Sequence, residues 1–339
     1  MVFIFGAKVL GMEENYSKPI SDSEERTPTP ASSEPHWGFV LLTLTGLVFV
    51  GAIVGTLLTV GIGKLAAWDP EVLTGGLKAD APLSLRWPVR LVLLLNHLFT
   101  FLLPGLALVF VFYRSYRVGG RVQDWKDYIA LRRWPEPKVL LMGLLTILVS
   151  VPLVLYLYQW NQLLPIPESF RLLEEQTNEA IKGLMQMDSI WELLANILIV
   201  AALPALGEEL VFRVVLQKQL QRFLLKPWHA IVLAAAIFSF IHMQFEGFLP
   251  RWMLGIVLGW LYWRTGNYWV PVVAHFFNNA FQVLIQYFYA SDLTELDLNQ
   301  DPQIHWTAAL ASILLLAGIY RWSTTNIPNP GIDSSPKTE

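Results

Sequence analysis

From Gly38 to Gly63 the chain runs without a single charged side chain. A helix of that length covers roughly 39 Å, more than the ~30 Å hydrocarbon core of a bilayer. Further apolar runs lie at Pro88–Tyr113, Val139–Tyr158, Trp228–Phe245, Phe248–Trp263, Trp269–Ala290 and Trp306–Trp322. An eighth begins near Ile190 and stays helix-compatible to about Leu225, with Pro204 as a predicted kink. Helices satisfy all their backbone groups internally, as lipid requires. The expectation is an all-α polytopic membrane protein with about eight transmembrane helices.

Composition agrees. Of 339 residues 54% are hydrophobic and 15% charged, against about a quarter charged in soluble domains. Fourteen Trp and eleven Tyr suit many membrane–water interfaces. A net charge of −3 with no basic tract argues against a nucleic-acid partner. The absence of cysteine excludes disulfides, thiolate metal sites and cysteine catalysis. Residues 1–37 and 323–339, rich in Ser, Pro, Thr and Glu, are expected to be disordered tails around one membrane domain, 38–322, with a motif core at 190–290. Lys8, Glu13 and Glu14 break any signal-peptide pattern, and Met12 is an alternative start.

Basic residues set the expected orientation. Arg114 to Lys138 holds seven Lys and Arg and is assigned to the cytoplasm, with both termini. Gln159–Ser189 carries Arg171 and Lys182 beside five acidic residues and is assigned outside. Against the rule, the first external loop holds Lys64, Lys78 and Arg86. Within Gln159–Ser189, Glu168 to Met187 has the spacing of an amphipathic helix over the outer mouth. The setting expected is a bacterial inner membrane.

Glu208, Glu209 and Arg213 interrupt the longest apolar run, and ionisable groups at membrane depth mark functional sites. The acid-first i,i+4 spacing pairs Arg213 with Glu209, leaving Glu208 to act as a base. Counted from cytoplasmic helix ends, Glu208 lies about 24 Å deep, His242 about 21 Å, Asn279 about 15 Å and His275 about 9 Å. His275 and Asn279 share a helix face. Glu208, His242 and His275 have the ligand types of a three-ligand zinc site, and Asn279 can donate to an oxyanion. Taken singly, the ion pair is structural, the histidines are packing residues and Asn279 is interhelical glue. His97, with Asn96, either lines the cavity or bonds a neighbouring helix, the second reading being favoured, and Glu192 and Asn196 are assigned to the solvated outer interface. A proton-coupled transporter fits the charges but lacks repeat symmetry and paired broken helices.

Together, E-E-x-x-x-R (Glu208, Glu209, Arg213), F-x-x-x-H (Phe238, His242) and H-x-x-x-N (His275, Asn279) resemble the three ordered motifs of the CPBP family. Its members are CaaX prenyl endopeptidases and bacteriocin-processing intramembrane proteases, once grouped as Abi proteins. The resemblance covers Leu203 to Phe281. It implies an intramembrane endopeptidase in which Glu208 and His242 activate water, His275 and Asn279 stabilise the oxyanion, and Glu209 and Arg213 support the site. It also implies a divalent metal, zinc by ligand type, a peptide or membrane-protein substrate, and membrane lipids as partners. A non-catalytic immunity or scaffold protein of the same fold is the alternative.

Overall fold

A computed structural model describes residues 34–68, 81–118, 121–295 and 304–328. Of the tails expected at 1–37 and 323–339, residues 1–33 and 329–339 lie outside the described residues. Among the described residues four helices are long and apolar enough to cross a membrane: α1 (Trp37–Leu65), α2 (Leu83–Tyr113), α4 (Pro137–Gln162) and α6 (Ile190–Leu224). Between α2 and α4 the basic segment forms a short antiparallel hairpin, β1 (Tyr116–Val118) with β2 (Arg121–Gln123), and the one-turn helix α3 (Trp125–Ile129). A capping box between Asp124 and Asp127 starts α3. The hairpin is the one departure from an all-α chain among the described residues.

The amphipathic helix expected at 168–187 is present as α5 (Glu168–Met185). Leu184 is buried against the bundle, while Leu172 and Ile181 are exposed. After α6 come α7 (Pro227–Phe240), α8 (Phe248–Thr265), α9 (Trp269–Glu295) and α10 (Trp306–Asn326). Ser323, assigned above to a tail, is buried within α10, where Arg264 holds its hydroxyl and carbonyl.

The run expected to span Trp228–Phe245 departs from that reading. Its helix, α7, has 14 residues and is apolar but short. That gives about 21 Å, well under the ~30 Å of a hydrocarbon core. The chain then turns through residues 241–247, with Met243 at φ +55°, and returns as α8. The two helices pack closely, since a Cβ on Gly255 would lie 2.9 Å from the Ala235 methyl.

Irregular backbone within a bundle needs partners for its polar groups. Asn161 at the end of α4, fully buried, donates to the Phe245 carbonyl and accepts from the Leu249 N–H, both at 2.7 Å. Gln162 donates to the Glu246 carbonyl, and Glu174 of α5 accepts the Glu246 N–H. The turn is thereby tied to α4 and covered by α5.

Three stretches of π-helix interrupt the long helices: Leu98–Leu102 in α2, and Ile197–Ala202 and Glu209–Gln217 in α6. The first two each lead into a proline, Pro104 and Pro204. A proline cannot donate to the carbonyl four residues before it, and local widening accommodates the loss. The third begins at Glu209 itself.

Candidate active site

Glu208 ends an α-helical turn of α6, and the π-helical stretch from Glu209 follows directly. Gly207 lets α2 come close, because a Cβ there would sit 3.2 Å from the Leu102 nitrogen and from the Phe101 Cβ. Glu208 therefore faces into the bundle toward α2. It borders a cavity of about 490 Å³ lined also by His97, His242, Arg251, His275 and Asn279, among mostly apolar walls.

Glu209 lies behind that cavity, fully buried. Its Oε2 accepts from Arg213 Nε at 2.9 Å, and its Oε1 lies 3.0 Å from His275 Nδ1. A carboxylate accepts, so His275 donates through Nδ1 and turns Nε2 toward Glu208, whose Oε2 is 3.9 Å away. Arg213 also stacks its guanidinium 5.2 Å from the centre of the Phe238 ring. One buried carboxylate thus fixes both a cation and the orientation of an imidazole. The two adjacent glutamates are separated by direction, one toward the cavity and one toward the protein.

His242 lies just past the end of α7, in the turn. Its Nδ1 is 2.7 Å from the Phe238 carbonyl. A carbonyl can only accept, so Nδ1 carries the proton and Nε2 of the neutral ring keeps its lone pair. Phe238 packs edge-on against His242 and His275, with ring centres at 4.9 and 6.4 Å. The phenylalanine of F-x-x-x-H thus supplies both the carbonyl that selects the His242 tautomer and a spacer between the two imidazoles.

Asn279 donates through Nδ2 to the Val200 carbonyl at 3.1 Å and accepts from Asn278. Val200 lies four residues before Pro204, which has no N–H to offer its carbonyl. Asn279 still borders the cavity with its second amide hydrogen uncommitted to a protein acceptor among the described residues.

The depth count set His275 about 15 Å shallower than Glu208; the structure brings them together. The count assumed level helix ends, but α9 begins well inside the bundle. Tyr268, just before it, is buried and donates to the Leu206 carbonyl at 2.7 Å.

Two assignments are corrected. His97 lines the cavity, with Nε2 3.4 Å from Glu208 Oε1, close but not aligned for a hydrogen bond. Glu192 and Asn196 are both fully buried. Arg90 donates to Glu192 at 2.7 Å and to Asn196 at 2.8 Å, and Arg86 pairs with Asp188 and Glu192. Arg86 is therefore an interior residue joining α2 to the start of α6. The signal was available, because Arg90 interrupts an apolar run just as Glu208 does.

The expected ligand trio Glu208, His242 and His275 borders one cavity, with Nδ1 of each histidine engaged by protein and Nε2 left free. Among the described residues no group of three or more His, Asp or Glu converges to hold an ion. His275 is oriented by Glu209 and His242 by a backbone carbonyl.

Residues 190–281 match the model of the family described as type II CAAX prenyl endopeptidase Rce1-like. No curated protein and no solved structure matches the chain. The matched segment runs from the start of α6 into α9 and carries all three motifs. By that segment, this membrane protein is similar to the CPBP/CAAX protease family.

Proposed function

We propose that the chain is an intramembrane endopeptidase that uses Glu208 and His242 to activate water. The observation that carries this reading is one cavity among apolar helices that Glu208, His97, His242, His275 and Asn279 all border. The His242 Nε2 lone pair accepts one hydrogen of a water, and Glu208 takes the proton as the oxygen attacks the peptide carbonyl. The carbonyl π bond opens to an oxyanion, toward which Asn279 donates, as does His275 through Nε2 when its ring carries both protons. Glu208 then returns its proton to the amide nitrogen, the C–N bond breaks, the oxyanion re-forms the carbonyl, and a carboxylic acid and an amine leave. Glu209 and Arg213 position His275 and do not touch the substrate.

Residues 38–322 act in this reading as one membrane domain of about eight spans, with α7 and α8 as a hairpin that is shallow on the α7 side. Both termini lie in the cytoplasm, and the setting is a bacterial inner membrane. The substrate is a peptide segment or membrane protein that unwinds to expose its scissile bond, since a helical amide is shielded by its own hydrogen bonds.

The test reconstitutes parent and Glu208→Gln proteins in liposomes with membrane protein from the host and sequences newly formed peptide termini. The expected result is a set of termini produced by the parent and absent with Glu208→Gln. Equal cleavage by the two would overturn the assignment. A host phenotype that survives Glu208→Gln would instead support the non-catalytic scaffold reading.

A further inference from the structure

Arg251 sits one turn into α8 on the wall of the same cavity as Glu208 and His242. Its Nη1 donates to the Gln244 carbonyl at 3.1 Å and its Nη2 to the Gln244 side-chain oxygen at 3.0 Å. Both acceptors are neutral. Among the described residues it forms no ion pair, whereas Arg86, Arg90 and Arg213 each have a carboxylate within 3.4 Å.

A half-buried guanidinium in an apolar setting is costly without an anion, and the other arginines named here follow that rule. Gly247, also on the cavity wall, keeps the approach to it narrow but free, because a Cβ there would lie 3.0 Å from Nη2. The wall around it is apolar, with Leu93, Ile147, Leu254 and Leu258. A single fixed cation in an apolar trough beside a water-activating pair matches one ligand chemistry: an apolar peptide that carries one carboxylate.

We propose that Arg251 anchors a carboxylate of the bound peptide and so sets which bond lies over Glu208. The proposal rests on the peptidase reading for the identity of its ligand. Gln244 holds the guanidinium in place beforehand, which reduces the ordering cost of binding. The carboxylate is either the C-terminal group of the peptide or an acidic side chain, and the two are separable by experiment.

The test measures fluorescence polarisation with full-length Glu208→Gln protein in detergent, so that nothing is turned over. Three labelled probes are compared: Leu-Ile-Leu-Leu with a free C-terminus, its C-terminal amide, and the amide of Leu-Ile-Glu-Leu. A charge-assisted hydrogen bond contributes about 1.5–3 kcal/mol, or roughly ten- to a hundredfold in Kd. Tighter binding of the free acid alone assigns the C-terminus, and tighter binding of the Glu peptide alone assigns a side chain. Adding Arg251→Gln is expected to remove the preference, and Arg251→Lys to retain part of it, which a merely structural role for the arginine would not produce. Equal binding of all three probes, no binding by any, or a preference that survives Arg251→Gln overturns the proposal. A preference seen here together with no hydrolysis by the parent protein would count against the peptidase reading and leave the anchor standing.

Discussion

The Asn279 side-chain amide donates to the Val200 carbonyl across 3.1 Å, four residues before Pro204, which has no N–H to offer that carbonyl. A residue with the pattern of an oxyanion donor thus also ties α9 to the kinked stretch of α6. Asn279→Ala is expected to destabilise the protein by about 0.5–1.5 kcal/mol through loss of that part-buried hydrogen bond. The same change in a Pro204→Ala background should cost less, because the helix then supplies its own donor. Thermal unfolding of the four proteins in one detergent checks this, and strictly additive losses would show that the two positions are not coupled.

Arg90 and Glu192 form a buried pair at the junction of α2 and α6. Removing one partner strands the other, which in buried pairs costs about 3–5 kcal/mol. Arg90→Met and Glu192→Gln should each lower Tm strongly, while Arg90→Met combined with Glu192→Leu should recover much of the loss. A double variant no better than either single one would place the stability in the contacts to Asn196 and the Leu184 carbonyl instead.

His97 brings a third imidazole to the cavity, 3.4 Å from Glu208. If it shares the proton that Glu208 handles, His97→Ala should lower kcat by at least about tenfold with little change in KM. A rise in KM alone would make it a wall of the substrate channel.

His242 and His275 engage protein acceptors through Nδ1, which leaves each Nε2 and the Glu208 carboxylate at the cavity. If these three hold zinc, peptidase activity should be lost on dialysis against a strong chelator and return with added zinc. Activity that survives the chelator, with zinc substoichiometric by elemental analysis, would refute this.

The sequence displayed local relations well and long-range ones poorly. The Glu209–Arg213 contact follows from helical spacing and needs no other element. The ends of α1, α4 and α6 lie within a few residues of those read from hydropathy. The stop of α7 at Phe240 was invisible, because Ile241, Met243 and Phe245 extend the apolar run past the helix. What ends the helix is remote, since Asn161, Gln162 and Glu174 satisfy the turn from other elements. Arg251 escaped notice, and His97 was placed on the wrong side of two readings, for a related reason. Neither belongs to a motif, and their position beside Glu208 depends on how α2 and α8 pack against α6.

The 14 residues of α7 have a consequence for the surroundings of the protein. A helix of about 21 Å sits beside α8 of about 27 Å and α6 of more than 30 Å, so the lipid next to it must thin. Such a protein works as a caliper. Vesicles of short-chain phosphatidylcholine fit the notch and leave the way to Glu208 wet, whereas longer acyl chains press hydrocarbon toward the turn and should slow the reaction. Rates measured across a series of acyl-chain lengths at constant headgroup would read that out, making membrane thickness itself an input to the enzyme.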